Sequence, residues 1–60
     1  MTPELSRRIA RIMNTTTLLE LSLVERKSFV KRVVKGNSFS DLLKEDQRLI
    51  LTAEKEIEKS

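Results

Sequence analysis

Residues 22–36 read SLVERKSFVKRVVKG, and this stretch predicts a complete helix with its own start and stop signals. Ser22 and Glu25 fit a capping box, in which each side chain hydrogen-bonds the backbone amide of the other residue. Gly36 fits the left-handed residue that commonly follows the last turn of a helix. The predicted apolar face consists of Leu23, Val30, Val33 and Val34, with Phe29 beside it.

A first helix is predicted upstream, starting at Thr2-Pro3-Glu4. Thr2 can cap free amides, and proline suits the first helical position because its missing N–H costs nothing there. Glu4 lies favourably near the positive end of the helix dipole. Residues 14–17, Asn-Thr-Thr-Thr, favour a turn that ends this helix. Its predicted apolar face consists of Leu5, Ile9, Ile12 and Met13.

The segment between these helices has two possible interpretations. A second capping pattern, Thr17-x-x-Glu20, overlaps the one that begins at Ser22. We prefer a helix that begins at Ser22, with residues 18–21 as a short turn or connector. The alternative is a single helix from Thr17 to Lys35.

A last helix is predicted to run to about Glu58. The pattern Ser38-x-x-Asp41 resembles another helix start, and Phe39 would pin that corner to the core. Leu51 lies off the apolar face; it is either an ordinary surface leucine or a contact to a second chain. The predicted apolar positions are Leu42, Leu43, Leu49, Ile50, Ala53 and Ile57.

The expected fold is all-α: residues 1–60 form a single small helical domain of three short helices. The second and third would form an antiparallel hairpin through residues 36–38, with the first packed across them. A core of this size rarely supplies more than ~3–5 kcal/mol of net stability. The chain has no cysteine for disulfides. We therefore expect a homodimer, because Leu21, Phe29 and Leu51 are surplus to a minimal core.

The composition offers little for catalysis or cofactor binding. The chain has neither histidine nor cysteine, so the commonest acid–base group and the best thiol nucleophile are both absent. No calcium-loop pattern occurs, and Glu54, Glu56 and Glu58 diverge around a helix because they are spaced by two. We therefore predict a non-enzymatic protein with no catalytic residue, no metal site and no cofactor.

The sequence also predicts a soluble, cytoplasmic protein. No apolar run approaches the ~18 residues that a membrane span needs. Residues 1–8 lack the basic-then-apolar order of a signal peptide. A membrane-surface role for the basic helix is less favoured, because its valines are needed for the core.

The charges are segregated along the chain. Residues 1–36 carry eight Lys/Arg and three Glu, a net charge of +5, whereas residues 37–60 carry four Lys/Arg and six Asp/Glu, a net charge of −2. Like charges spaced by four, as at Lys27, Lys31 and Lys35, cost a helix ~0.2–0.5 kcal/mol per pair. The helix dipole, a ligand or the acidic third helix could offset that cost. The acidic candidates are Asp41, Glu45, Asp46, Glu54, Glu56 and Glu58.

The leading functional hypothesis is a small regulatory or adaptor protein that binds a larger protein partner through a basic helical face. The alternative is a DNA-binding transcriptional or replication regulator whose first two helices contact phosphates. Aromatic platforms for stacking on single strands are missing, which weakens the nucleic-acid alternative. In both cases the candidate contact residues are Arg7, Arg8, Arg11, Arg26, Lys27, Lys31 and Lys35.

Overall fold

The computed structural model describes residues 2–59 and shows an all-helical architecture in which no residue of that range is in a strand. This confirms the predicted fold class, but the described residues form four α-helices where three were expected. The elements are α1 (Pro3–Ile12), α2 (Thr16–Leu19), α3 (Leu23–Lys35), a 3₁₀ helix (Phe39–Asp41) and α4 (Lys44–Lys59).

The predicted helix starts at Thr2 and Ser22, where a side chain caps amides a few residues away, are both confirmed. The Thr2 hydroxyl accepts a hydrogen bond from the Leu5 amide at 3.2 Å, and a proline begins α1. At the start of α3 the capping box is complete: the Ser22 amide donates to the Glu25 carboxylate, and the Glu25 amide donates to the Ser22 hydroxyl, both at 3.1 Å. These bonds satisfy amides that a helix leaves free in its first turn.

For residues 17–22, the preferred helix start at Ser22 is confirmed, whereas the connector predicted at residues 18–21 is partly helical and the single helix from Thr17 to Lys35 is wrong. Thr16–Leu19 is a short helix, and the chain leaves helical geometry before α3 begins. Thr15 caps this helix, because its hydroxyl accepts from the Leu18 amide at 3.4 Å and donates to the Ile12 carbonyl at 2.6 Å. One buried threonine therefore joins the end of α1 to the start of α2.

Helix α4 is the centre of the packing, with its most extensive contacts to α1 and α2. Close packing of α3 against α4 is not among these extensive contacts, so the antiparallel hairpin of the two helices stays a prediction. Of the expected apolar positions of the last helix, Ile50 and Ala53 are fully buried, but Leu43 is exposed. The buried apolar core consists of Leu5, Ile9, Ile12, Leu18, Phe29, Val33, Leu42, Ile50 and Ala53.

The predicted inward face of α3 is corrected by the structure. Phe29 and Val33 are each only 1% exposed, whereas Leu23 is 58% and Val34 is 51% exposed. Phe29 is the largest apolar side chain of the helix and lies one turn before Val33. Turning this side toward the core removes the largest apolar side chain of α3 from water. Phe29, which we expected to be surplus, is a central core residue.

The junction between α3 and α4 also differs from the prediction. Gly36 has φ −81° and ψ 152°, so it is extended and not left-handed. A Cβ atom there would lie 3.0 Å from Cδ2 of Leu42, so close approach is what favours glycine. Ser38 makes no capping bond and precedes the 3₁₀ helix. The Gln47 side chain braces the junction by donating to the carbonyls of Phe39 and Leu42 at 3.1 and 3.0 Å.

Candidate interaction surface on helix α3

The outer side of α3 carries a second line of apolar side chains, which we call the apolar stripe: Leu23, Val30 and Val34. These residues are spaced by seven and four, so they lie on one side of the helix. At 3.6 residues per turn, the stripe is turned about 100° away from Phe29 and Val33. Both ends of the stripe are exposed, and Val30 is half-buried against the core. Residues 2–59 thus leave Leu23 and Val34 open to solvent.

The first two members of the stripe lie in a groove of about 360 Å³, which we call the α3 groove. Met13, just after α1, forms its other apolar border. All the charged side chains that line the groove are cations: Arg26, Lys27 and Lys31. The arrangement is an apolar floor with a positively charged border.

Arg26 lies between the stripe and the core side of α3. Its Nε is buried and has no hydrogen-bond partner in the part of the chain that the structure describes. Buried donors in folded proteins are nearly always paired, and a guanidinium keeps its charge at all accessible pH values. Because this nitrogen is closed to solvent, an acceptor in the groove reaches it only if the Arg26 side chain turns outward.

The remaining predicted contact residues are not all in one place. Arg7 and Arg11 are exposed on α1, and neither lines the α3 groove. Lys35 borders a separate polar depression at the end of α3. The structure therefore brings three of the seven candidates together, namely Arg26, Lys27 and Lys31.

Arg8 is engaged inside the fold. Its Nε and one terminal nitrogen donate to the two carboxylate oxygens of Glu54, at 2.9 and 2.8 Å. Its guanidinium carbon lies 4.4 Å from the centroid of the Phe39 ring, a cation–π distance. The hydrogen bond and charge of Arg8 lower the pKa of Glu54, and Glu54 raises the pKa of Arg8. We therefore base no partner contact on Arg8.

Three carboxylates in the acidic half of the chain pair with arginines or backbone amides. Arg32 holds Asp46 through two bonds of 2.9 Å, and Asp46 is only 2% exposed. The Glu56 carboxylate accepts from the amides of Thr16 and Thr17, at 2.6 and 3.1 Å, and these bonds lower the pKa of Glu56. Within residues 2–59, the ion pairs are Arg8–Glu54 and Arg32–Asp46, and no carboxylate pairs with Lys27, Lys31 or Lys35.

A second groove lies on the opposite side of α3, facing α4. Val24, which is 73% exposed, lines it together with Glu25 and Glu45. The Arg32–Asp46 pair forms part of its wall. Because this groove has acidic side chains and an arginine that is already paired, it provides a comparison surface on the same helix.

Sequence reasoning missed the apolar stripe as a surface. Its spacing is visible in the sequence, but Leu23, Val30 and Val34 were all assigned to the core, and Met13 is too far along the chain to be connected with them. No helix within residues 2–59 is long and apolar enough to cross a membrane. The same residues contain no group of three or more metal-ligating side chains. Comparison with known protein families, with curated proteins and with solved structures finds no match to this chain.

Proposed function

We propose that this chain is a small non-enzymatic regulatory or adaptor protein that binds a larger protein partner through the apolar stripe and the α3 groove. The observation that carries the proposal is the exposure of Leu23 and Val34 beside cations that have no carboxylate partner. Covering apolar surface contributes ~25 cal/mol per Å², and unpaired charges at the border add orientation and specificity.

The start of α3 supports a protein partner over DNA. In helix-turn-helix proteins, the first residues of the recognition helix meet base edges and lie close to phosphates. Here that turn presents Leu23 and Val24, both exposed, followed by the Glu25 carboxylate. A carboxylate and two aliphatic side chains are poorly suited to that position, so DNA binding is an alternative outcome of the test below.

A homodimer is a further proposal, and less supports it than we expected. Phe29 is buried within the single chain and Leu21 is half-buried against the core. Leu51, at 46% exposed, is the remaining member of the three residues that suggested a dimer. Sedimentation equilibrium of the native chain and of Leu51→Glu tests this proposal. A native chain that stays monomeric at high concentration would refute it.

The protein-binding proposal is tested by affinity capture with chemical cross-linking from lysines, with and without nuclease. The test variant is Leu23→Ser/Val34→Ser. The matched control is Val24→Ser/Leu43→Ser, which removes one valine and one leucine of similar or greater exposure that lie outside the stripe. Both variants should keep the helical circular dichroism of the native protein.

We expect a nuclease-resistant partner, cross-linked to Lys27 or Lys31, that is lost with the test variant and retained with the control. Loss with the control alone would contradict the proposal and place the interface at Val24, in the second groove, or at Leu43. Capture that disappears with nuclease would favour DNA and contradict the proposal.

A further inference from the structure

We infer that the segment which occupies the α3 groove is an acidic amphipathic helix, and that one of its carboxylates pairs with the guanidinium of Arg26, whose side chain turns outward so that Nε can donate to it. This inference rests on the proposed function, because it names the chemistry of the partner for the same surface. Three observations support it: the shape of the stripe, the sign of the surrounding charge, and the unpaired arginine nitrogen.

The shape favours a helix. The stripe runs along α3 from Leu23 to Val34, which spans about 16 Å at a rise of 1.5 Å per residue. A partner helix of about three turns matches that length, with apolar anchors at spacings of three, four and seven residues. An extended peptide that binds by strand addition needs an exposed sheet edge, and residues 2–59 contain no strand that could offer one.

The charge favours acidic residues beside those anchors. The charged lining of the groove consists of Arg26, Lys27 and Lys31. An anionic membrane would also attract these cations, but surface-bound helices insert bulky side chains over a broad apolar face. One leucine and two valines in a narrow line fit the ridge of another helix better.

Arg26 indicates where a carboxylate would bind. Two other arginines of this chain hold carboxylates, and both do so through Nε together with a terminal nitrogen: Arg8 with Glu54, and Arg32 with Asp46. Arg26 lines the groove with its Nε buried and unpaired. Once the Arg26 side chain turns so that Nε faces the groove, a carboxylate from outside the chain would complete at Arg26 the arrangement that the fold completes at the other two.

The direct test measures the fluorescence anisotropy of three labelled synthetic peptides of the same length. The first is a helical peptide with leucine anchors flanked by glutamates. The second replaces every glutamate by lysine, and the third scrambles the first so that its amphipathic pattern is lost. The protein variants are Arg26→Lys, Leu23→Ser and, as a control outside the groove, Arg48→Gln.

We expect the acidic helical peptide to bind native protein, to become more helical on binding, and to shift the amide signals of residues 23–34. Arg26→Lys keeps the charge but loses Nε and its planar geometry, so it should weaken binding about tenfold or more. Leu23→Ser should also weaken binding, whereas Arg48→Gln should bind like native protein.

Equal binding of the lysine or scrambled peptide, native-like binding by Arg26→Lys, or no binding of the acidic peptide at ~1 mM would overturn the inference. Duplex DNA and phosphatidylserine vesicles are tested as competitors. If either binds more tightly than the acidic peptide in an Arg26-dependent way, the inference is also overturned.

The two proposals can fail separately. If captured protein depends on the stripe but its cross-linked segment is basic or extended, the partner chemistry inferred here is wrong and the proposed function stands. If capture does not depend on the stripe, the proposed function is wrong, even if the acidic peptide binds as expected.

Discussion

Helices α3 and α4 use their polar side chains in opposite ways. On α4, the carboxylates of Asp46, Glu54 and Glu56 all bind groups on other elements of the same chain. On the outer side of α3, Lys27 and Lys31 have no carboxylate partner within residues 2–59. The difference indicates that these three carboxylates of α4 serve the fold, whereas Lys27 and Lys31 are exposed without a carboxylate to pair with in the described part of the chain.

The largest expected effect is a difference in stability between variants at two adjacent residues of α3, one buried and one exposed. Val33→Asp places a carboxylate in the core without a partner, at a cost of several kcal/mol, comparable to the ~3–5 kcal/mol that a core of this size supplies. We expect it to unfold the protein. Val34→Asp, at a half-exposed position, should remain folded. Circular dichroism and urea titration measure both, and similar stability of the two variants would contradict the assignment of the core side.

The next effect concerns the buried acid of α4. Asp46→Asn removes the charge that holds Arg32, and we expect a loss of about 1–2 kcal/mol in the free energy of unfolding. The loss is moderate because the Arg32 side chain is 41% exposed and can be solvated instead. Asp41→Asn, at an exposed position, is the control and should change little. A native-like urea midpoint for Asp46→Asn would mean that α4 does not depend on this pair.

Acid should destabilise the protein through the bonded carboxylates of α4. The pKa values of Glu54 and Glu56 are lowered from the ordinary value of 4.5, by Arg8 and by the α2 amides respectively. Because the folded-state pKa is lower than the unfolded one, their stabilisation is complete above pH 4.5 and is lost as pH falls through the folded values.

We therefore expect the urea midpoint of unfolding to decrease once the pH is lowered below 4.5. Glu54→Gln/Glu56→Gln should be less stable at neutral pH and should show a smaller dependence on acid. Glu58→Gln, which changes an exposed glutamate, is the control. An unchanged acid dependence in the double variant would show that these bonds do not contribute to stability.

The smallest expected effect on stability is at the outer side of α3. Lys31→Glu should leave the free energy of unfolding, measured by urea titration, within about 0.5 kcal/mol of native, because exposed positions without a partner rarely contribute more. It should nevertheless weaken binding of the acidic peptide, whereas Lys55→Glu, an exposed control on α4, should leave that binding unchanged. If Lys31→Glu unfolds the protein, the lysines of α3 serve the fold and the contrast with α4 disappears.

Features that depend on near neighbours in the chain were predictable. Thr2 reaches Leu5, and Ser22 exchanges bonds with Glu25, over three residues each. A capping residue and its amides are brought together by the helix itself, so no tertiary contact is needed. Gly36 shows the limit of this reasoning, because the atom that crowds it belongs to Leu42, six residues away, and not to its own helix end.

The amino-acid sequence by itself determined that the chain is helical, where α1 and α3 begin, and that its basic and acidic residues lie in different parts. Only the tertiary structure decided which side of α3 is buried, which arginines have carboxylate partners, and that Glu56 caps a helix forty residues earlier in the chain. The physical reason is that helical periodicity shows which residues share a face, whereas the packing of the other helices determines which face is buried. On α3, Phe29 and Val33 are buried, and Leu23, Val34 and the lysines are left exposed.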